Sequence, residues 1–278
     1  MKKILLIIIL ILSFLALPIF ASPELNTHSI QFESTSSQYA YTADSADLSI
    51  TGDLTIEAWI RLHDLGTATY PTIAEKNKDA GDSDWYFMVS DNSHVAGQNE
   101  LFFYSMDSDN VSYLGGHTTN ALLSSGVWYH VAVVVDVSVP DYWIYVDGVS
   151  KTLDDHWLTS NDLRDSNANF YVGSQCSGTC RFFDGLIDDL RIWNDIRTEA
   201  EIQANDQCQL NGNEQGLMAY YMFNNSPNDN GEVTDPAGAN ANDLTLVNSP
   251  PYTTTLPFAS GSCGAVAVEG VIPDTIWW

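Results

Sequence analysis

The strongest constraint on this chain is a two-residue period. Gly52-Asp53-Leu54-Thr55-Ile56-Glu57-Ala58-Trp59-Ile60-Arg61 alternates apolar and polar side chains, and Phe183-Asp184-Gly185-Leu186-Ile187-Asp188-Asp189-Leu190-Arg191-Ile192-Trp193 repeats the design. Successive strand residues face opposite ways, so the pattern predicts ribbons with one side in a core and one toward solvent. Similar signals predict strands over His28–Glu33, Tyr39–Tyr41, Thr72–Glu75, Trp85–Ser90, Glu100–Tyr104, Val111–Leu114, Trp128–Asp136, Tyr142–Val146, Asn169–Gly173 and Leu217–Phe223. Clusters of Gly, Asn, Asp and Ser between them form turns. Short strands at regular spacing predict an all-β, two-sheet antiparallel jelly-roll sandwich. Val131–Val135 is apolar at every position, as in a central strand covered on both faces. One short helix is expected, opened by the capping box Thr198-Glu199-Ala200-Glu201 and ended by Asn205 in a left-handed turn.

The first residues read as an export signal: Lys2 and Lys3, an apolar run from Ile4, Pro18, and small Ala21 before Ser22. The apolar stretch is shorter than the ~20 residues of a spanning helix, so residues 1–21 are read as cleaved rather than membrane-inserted. The formal net charge of −26 repels phosphate backbones and anionic lipid, which excludes nucleic acid and suits cations or self-repulsion in a secreted protein. Aromatics make up 12% of the chain, too many for the charge to mean disorder. The four cysteines, Cys176, Cys180, Cys208 and Cys263, suggest two disulfides in an exported chain. Ser177-Gly178-Thr179 can form a tight loop, which favours Cys176 with Cys180 and leaves Cys208 with Cys263. A cysteine metal site lacks a nearby histidine or a second close pair.

The Phe183–Trp193 and Gly52–Arg61 segments, Trp128-Tyr129-His130-Val131-Ala132-Val133 and the turn Val146-Asp147-Gly148 together resemble the laminin-G-like family of concanavalin A-type jelly rolls. Ser29-Ile30-Gln31-Phe32-Glu33 and Gln38-Tyr39-Ala40 match its opening, although Glu33-Ser34 replaces the usual Asp-Gly. The resemblance implies a jelly-roll domain over 27–207, and the trailing 208–258 reads as a β-rich appendage with a tail over 259–278. It also implies a structural calcium where the first and last strands meet, which puts Asp188 near Glu33. An outward acid beside neighbouring carbonyls supplies the oxygens calcium takes at about 2.4 Å; otherwise Asp188 and Asp189 only solvate their strand, with Arg191 as partner.

The loop Lys76–Asp84 brings Asp79, Asp82 and Asp84 around a glycine and could wrap a hard cation or ligand, but it lacks the closing acid of an EF-hand. In pentraxin relatives a second acidic loop assists; here that loop holds Gln175 and no carboxylate. Tyr86, Tyr104, Tyr113, Trp143, Tyr145 and Trp157 are candidate platforms for sugar rings, with core packing as the alternative for each. Trp143 and Gln175 join the acidic loop as candidate ligand contacts. Catalysis finds no support: the E-x-D-x-x-E of this fold's glucanases is absent, Asp188 and Asp189 should face opposite ways, and His130 reads as a hydrogen-bonded core residue. The reading is therefore a secreted non-catalytic binding module for carbohydrate or a surface protein, with a structural calcium. The alternatives are a structural or adhesive surface component and a glycoside hydrolase.

Overall fold

The computed structural model describes residues 25–64, 70–77, 83–90, 99–108, 113–119, 123–158, 162–226 and 242–258. The signal segment, Asp79, Asp82, Cys263 and the tail lie outside them, as do the side chains of 154–158. Sixteen strands follow in chain order: β1 (Ser29–Phe32), β2 (Tyr39–Thr42), β3 (Leu54–Leu62), β4 (Thr72–Asn77), β5 (Ser83–Val89), β6 (Leu101–Met106), β7 (Tyr113–Thr118), β8 (Trp128–Asp136), β9 (Asp141–Val146), β10 (Val149–Ser150), β11 (Leu153–Leu158), β12 (Asn169–Val172), β13 (Gly185–Trp193), β14 (Leu217–Tyr221), β15 (Thr245–Val247) and β16 (Tyr252–Thr253). Among the described residues one α-helix, α1 (Glu199–Asn205), separates β13 from β14.

Two antiparallel sheets face each other in a jelly-roll sandwich. Sheet I runs β10-β9-β8-β3-β13-β1-β16, and sheet II runs β11-β7-β6-β5-β4-β12-β2-β15. The two-residue period puts Ile56, Ile60, Val133 and Ile187 of sheet I against Phe87, Phe103, Phe170 and Val172 of sheet II, all fully buried. A one-residue slip would turn every one of these outward, so the apolar pattern itself fixes the register. The first and last long strands are adjacent, with Ile30 opposite Ile187 and Phe32 opposite Gly185.

Two features depart from plain alternation. Asp188 pairs with Trp59 and Arg191 with Glu57, so β13 carries one residue more than β3 between them. Asp189 sits at this bulge with φ 52°. The extra residue turns Asp189 to the same outer face as Asp188, correcting the expectation that they point apart. The second departure concerns β8. Its Val131, Val133 and Val135 enter the main core, while Ala132 and Val134 are covered by Ile202 of α1. The helix, not a sheet, seals that side.

The capping box forms as expected: the Glu201 N–H donates to the Thr198 hydroxyl and the Thr198 N–H to the Glu201 carboxylate. The helix end differs. Asn205 stays helical and donates its amide to the Glu201 carbonyl at 2.8 Å, and the following Asp206 is right-handed. The trailing segment is woven into the sandwich. β14 lies along the second half of β13, β15 extends sheet II and β16 extends sheet I. Tyr221, Phe223 and Leu244 belong to the main core, so the trailing strands pack on the sandwich. Among the described residues no helix is long and apolar enough to cross a membrane.

Candidate functional site

The outer face of sheet II carries a row of aromatic residues. Cross-strand partners point to the same side of a sheet, so pairing alone defines the row. Thr245 pairs with Tyr41, Tyr41 with Tyr171, Tyr171 with Glu75, Glu75 with Tyr86, Tyr86 with Tyr104 and Tyr104 with Gly115. Glu75, fully buried, thus lies between two tyrosine pairs. On one side the Tyr86 and Tyr104 rings stack 5.1 Å apart, and Tyr113 continues the stack 6.0 Å further on. On the other side Tyr41 and Tyr171 stack at 5.9 Å. Gly115 is required here, because a Cβ would come within 2.4 Å of the Phe103 carbonyl oxygen.

A cavity of about 270 Å³ opens beside Tyr86 and Tyr104, lined also by Tyr70, Met88, Phe102, His117 and Arg181. Phe102 and His117 stack at 4.1 Å, and the His117 Nδ1 lies 4.0 Å from Glu100. Arg181 lies over the Tyr70 ring at 4.8 Å and donates to the Gln175 amide oxygen. Burial raises the Tyr86 phenol above its ordinary value, with Arg181 opposing; burial also raises Tyr104, helped by Tyr113. Both therefore stay protonated, as hydrogen-bond donors, at neutral pH.

The expected contacts distribute differently. Tyr86, Tyr104 and Tyr113 do lie on this face. Trp143 and Tyr145 do not: they are on the outer face of sheet I, packed with Ile202 of α1. Trp157 has its side chain outside the described residues. Gln175 is buried behind the face, where it bridges to Cys180 and holds Arg181. Asp84 is not free for a ligand. One of its oxygens accepts from the Ser166 N–H at 3.0 Å and hydroxyl at 2.9 Å, while Arg164 lies 3.4 Å from the other. Burial raises its carboxyl above the usual range. Lys76 lies 3.8 Å away, bonded to Asp44 at 3.0 Å and Asp165 at 2.5 Å, so Asp84 belongs to an internal ion cluster. Tyr41, Tyr171, Glu75 and Arg181 were missed. Tyr39-Ala40-Tyr41 and Phe170-Tyr171 signal strands, but alternation does not say which sheet or face they serve.

Cys176 and Cys180 are bonded, closing the loop that presses Gly178 against the Tyr39 ring and ends at Arg181. Cys208 is also disulfide-bonded.

Asp188 and Glu33 are not brought together. Glu33 follows Phe32, the partner of Gly185, so it lies level with Asp184, four residues or about 13 Å along the ladder from Asp188. Asp188 is instead fully buried beside Asn26, whose amide donates to one carboxylate oxygen at 2.8 Å; the Asp189 N–H donates to the other at 2.9 Å. Burial pushes the Asp188 carboxyl well above its usual range, and the Asp189 charge adds to this. The Asn26 side-chain amide oxygen is buried without a hydrogen-bond partner. Turning the Asn26 amide over would set that oxygen beside Asp188 as a second oxygen donor of the kind a hard cation takes.

Beside the apolar patch under α1, sheet I's outer face carries a buried ionic network. Arg191 donates to Asp189, to the Asn205 carbonyl at 3.0 Å and to the Cys208 carbonyl at 2.8 Å, and lies 3.8 Å from Glu57. Tyr220 donates to Asp189 and accepts from the Leu210 N–H at 3.1 Å. His130 is fully buried, but its ring makes no hydrogen bond. Its Nε2 lies 3.5 Å from Glu57, and its backbone N–H donates to the Asp147 carboxylate at 3.0 Å. Burial lowers the His130 pKa to about 3.

A family model described as the concanavalin A-like lectin/glucanases superfamily matches residues 34–203, and the chain belongs to that superfamily. Among solved structures, a candidate carbohydrate-binding protein from Bacteroides ovatus is 19% identical with a TM-score of 0.60, over 86% of this chain and 62% of its own length. That likeness shows a shared fold. A native heptameric SAP-like pentraxin from Limulus polyphemus is 13% identical, TM-score 0.47, over 64% of this chain and 81% of its own. The CBM40 of Ruminococcus gnavus IT-sialidase, bound to α2,3 sialyllactose, is 15% identical, TM-score 0.48, over 66% of this chain and 98% of its own. No curated protein sequence matches.

Proposed function

We propose that this protein is a secreted, non-catalytic module that binds an extended glycan across the outer face of sheet II. The observation that carries the reading is the row from Tyr104 through Tyr86, Glu75 and Tyr171 to Tyr41, one residue from each of five adjacent strands. Four interstrand steps span about 19 Å, long enough for several sugar rings in line. Ring C–H faces stack on tyrosines, and Arg181 and the phenols supply hydrogen bonds to hydroxyls. Membership in a superfamily of lectins and glucanases supports the same ligand class.

We favour binding over hydrolysis on this face. Glycosidases hold two carboxyls about 5–9.5 Å apart. Glu100 lies four residues from Tyr104 along the strand direction, about 13 Å from the row that contains Glu75.

Asp188 and Asn26 would hold a structural calcium, which would neutralise a buried carboxylate and pin the residues before β1 to β13. This position is on sheet I, away from the aromatic face. A glycan array is therefore run on the mature protein in calcium and in chelator. We expect binding to linear glycans in both, with calcium raising the melting temperature of wild type but not of Asp188→Asn. Silence across the array together with self-association would replace glycan recognition by an assembly role. An equal calcium response in Asp188→Asn would remove the cation from this position.

A further inference from the structure

We propose that Glu33, His63 and Asp184 form a binding site for a divalent ion of the zinc class. The three stand at one end of three neighbouring strands of sheet I: Glu33 follows β1, His63 follows β3 and Asp184 precedes β13. Gly185 pairs with Phe32 on one side and Leu62 on the other, so the next residue of each strand falls in a common row. The His63 N–H donates to the Asp184 carbonyl at 3.0 Å, which continues the ladder through the row and fixes its backbone.

The side chains converge. The His63 Nδ1 is 3.8 Å from a Glu33 oxygen and 3.8 Å from an Asp184 oxygen. One ligand atom from each of the three lies within 4.8 Å of the other two. A tetrahedral ion with bonds of about 2.0–2.2 Å sets its ligands about 3.4 Å apart. Small side-chain rotations therefore bring all three onto one ion. Each carboxylate is already oriented by a further donor: the Gln31 amide donates to the Glu33 oxygen at 2.6 Å, and the Ser34 N–H to the Asp184 oxygen at 3.5 Å. Such outer hydrogen bonds are what hold metal ligands in their working rotamers.

Donor chemistry selects the metal. One imidazole and two carboxylates suit zinc, cobalt or nickel, whereas calcium takes six to eight oxygens. The side chains of His63, Glu33 and Asp184 are 29%, 40% and 14% exposed, so an ion can enter and water can complete its shell. This site is separate from the Asp188–Asn26 pair and from the aromatic face, and its test is independent of both.

The full mature chain, made without a histidine tag and stripped with chelator, is titrated calorimetrically with zinc chloride and, separately, calcium chloride. Wild type should bind zinc, and His63→Ala should lose that binding. Glu33→Gln should weaken it by more than about a hundredfold, beyond what an outer-shell change costs. The calcium response should survive both substitutions. No zinc binding by wild type, or undiminished zinc affinity in His63→Ala, overturns the proposal. Cobalt added to wild type gives a reading that needs no variant to fold: visible d–d absorption that zinc displaces supports the site, and its absence counts against it.

Discussion

The two outer faces of one sandwich are built from opposite materials. On sheet I, Glu57, His130, Asp188, Asp189 and Arg191 are all at or near zero exposure, closed over by α1 and the segment through Leu210. On sheet II, Tyr39, Tyr41, Tyr86 and Tyr104 remain half-buried, with a cavity beside Tyr86 and Tyr104. Residue polarity alone would have assigned the charged face to solvent and the aromatic face to a core. The difference teaches that covering decides the role. Once a helix and a loop lie over a charged strand face, its ions must satisfy one another; a tyrosine face left open can stack a ligand. Burial also gives the sealed face its pKa pattern: Glu57, Asp188 and Asp189 are raised by desolvation and His130 is lowered by it.

The comparison breaks most sharply at Arg191. It is the cation that ties β13 to the carbonyls of Asn205 and Cys208 while facing Asp189 and Glu57. Arg191→Met leaves two buried carboxylates without their cation, and we expect a loss of about 3–5 kcal/mol in urea unfolding. A loss under 1 kcal/mol would mean that the network is not the seal of sheet I. The next effect is pH-dependent. The folded His130 pKa of about 3 lies below the unfolded value near 6.5, so its contribution is present above pH 6.5 and is lost as pH falls. Between pH 6.5 and 5 this amounts to about 2 kcal/mol. The raised carboxyls have the opposite sign: their contribution is largest at low pH and is lost as pH rises through their folded values. Comparing wild type with His130→Gln isolates the histidine. The variant should lose less stability than wild type on going from pH 7 to pH 5, and parallel curves would rule out a buried neutral imidazole.

Much of this architecture is legible in the sequence. The period-two segments at 54–62 and 185–193, the all-apolar Val131–Val135 and the Thr198–Glu201 capping box each state a local preference that the fold keeps. β11 was not foreseen, because Leu153-Asp154-Asp155-His156 has no apolar alternation; its pairing with β7 supplies what pattern does not. The strand expected over Val111–Leu114 continues to Thr118, because Gly115 and Gly116 hide its second half; residues 111 and 112 lie outside the described residues. The sites were less legible for a geometric reason. Alternation says that Trp143 and Tyr104 leave the core but not what covers them. The bulge at Asp189 turns two adjacent acids to one side without any change of composition. Asp84 stands in an acidic loop by sequence, yet Ser166 and Arg164 reach it from a segment distant in the chain.

The smallest predicted effect separates the two faces by their aromatics. Tyr104 stacks between Tyr86 and Tyr113 on the open sheet, while Trp143 packs on the residues under α1. An aromatic contact contributes about 0.5–1.5 kcal/mol beyond its area. Tyr104→Ala should therefore weaken binding of an array-selected glycan by roughly twofold to tenfold, with little change in melting temperature. Trp143→Ala should do the reverse, lowering the melting temperature and leaving affinity at the wild-type value. The pair is informative because both residues leave the core by the same alternation and differ only in what lies above them. Should Trp143→Ala weaken the glycan and Tyr104→Ala spare it, the ligand belongs on the sealed sheet, and α1 must move to admit it.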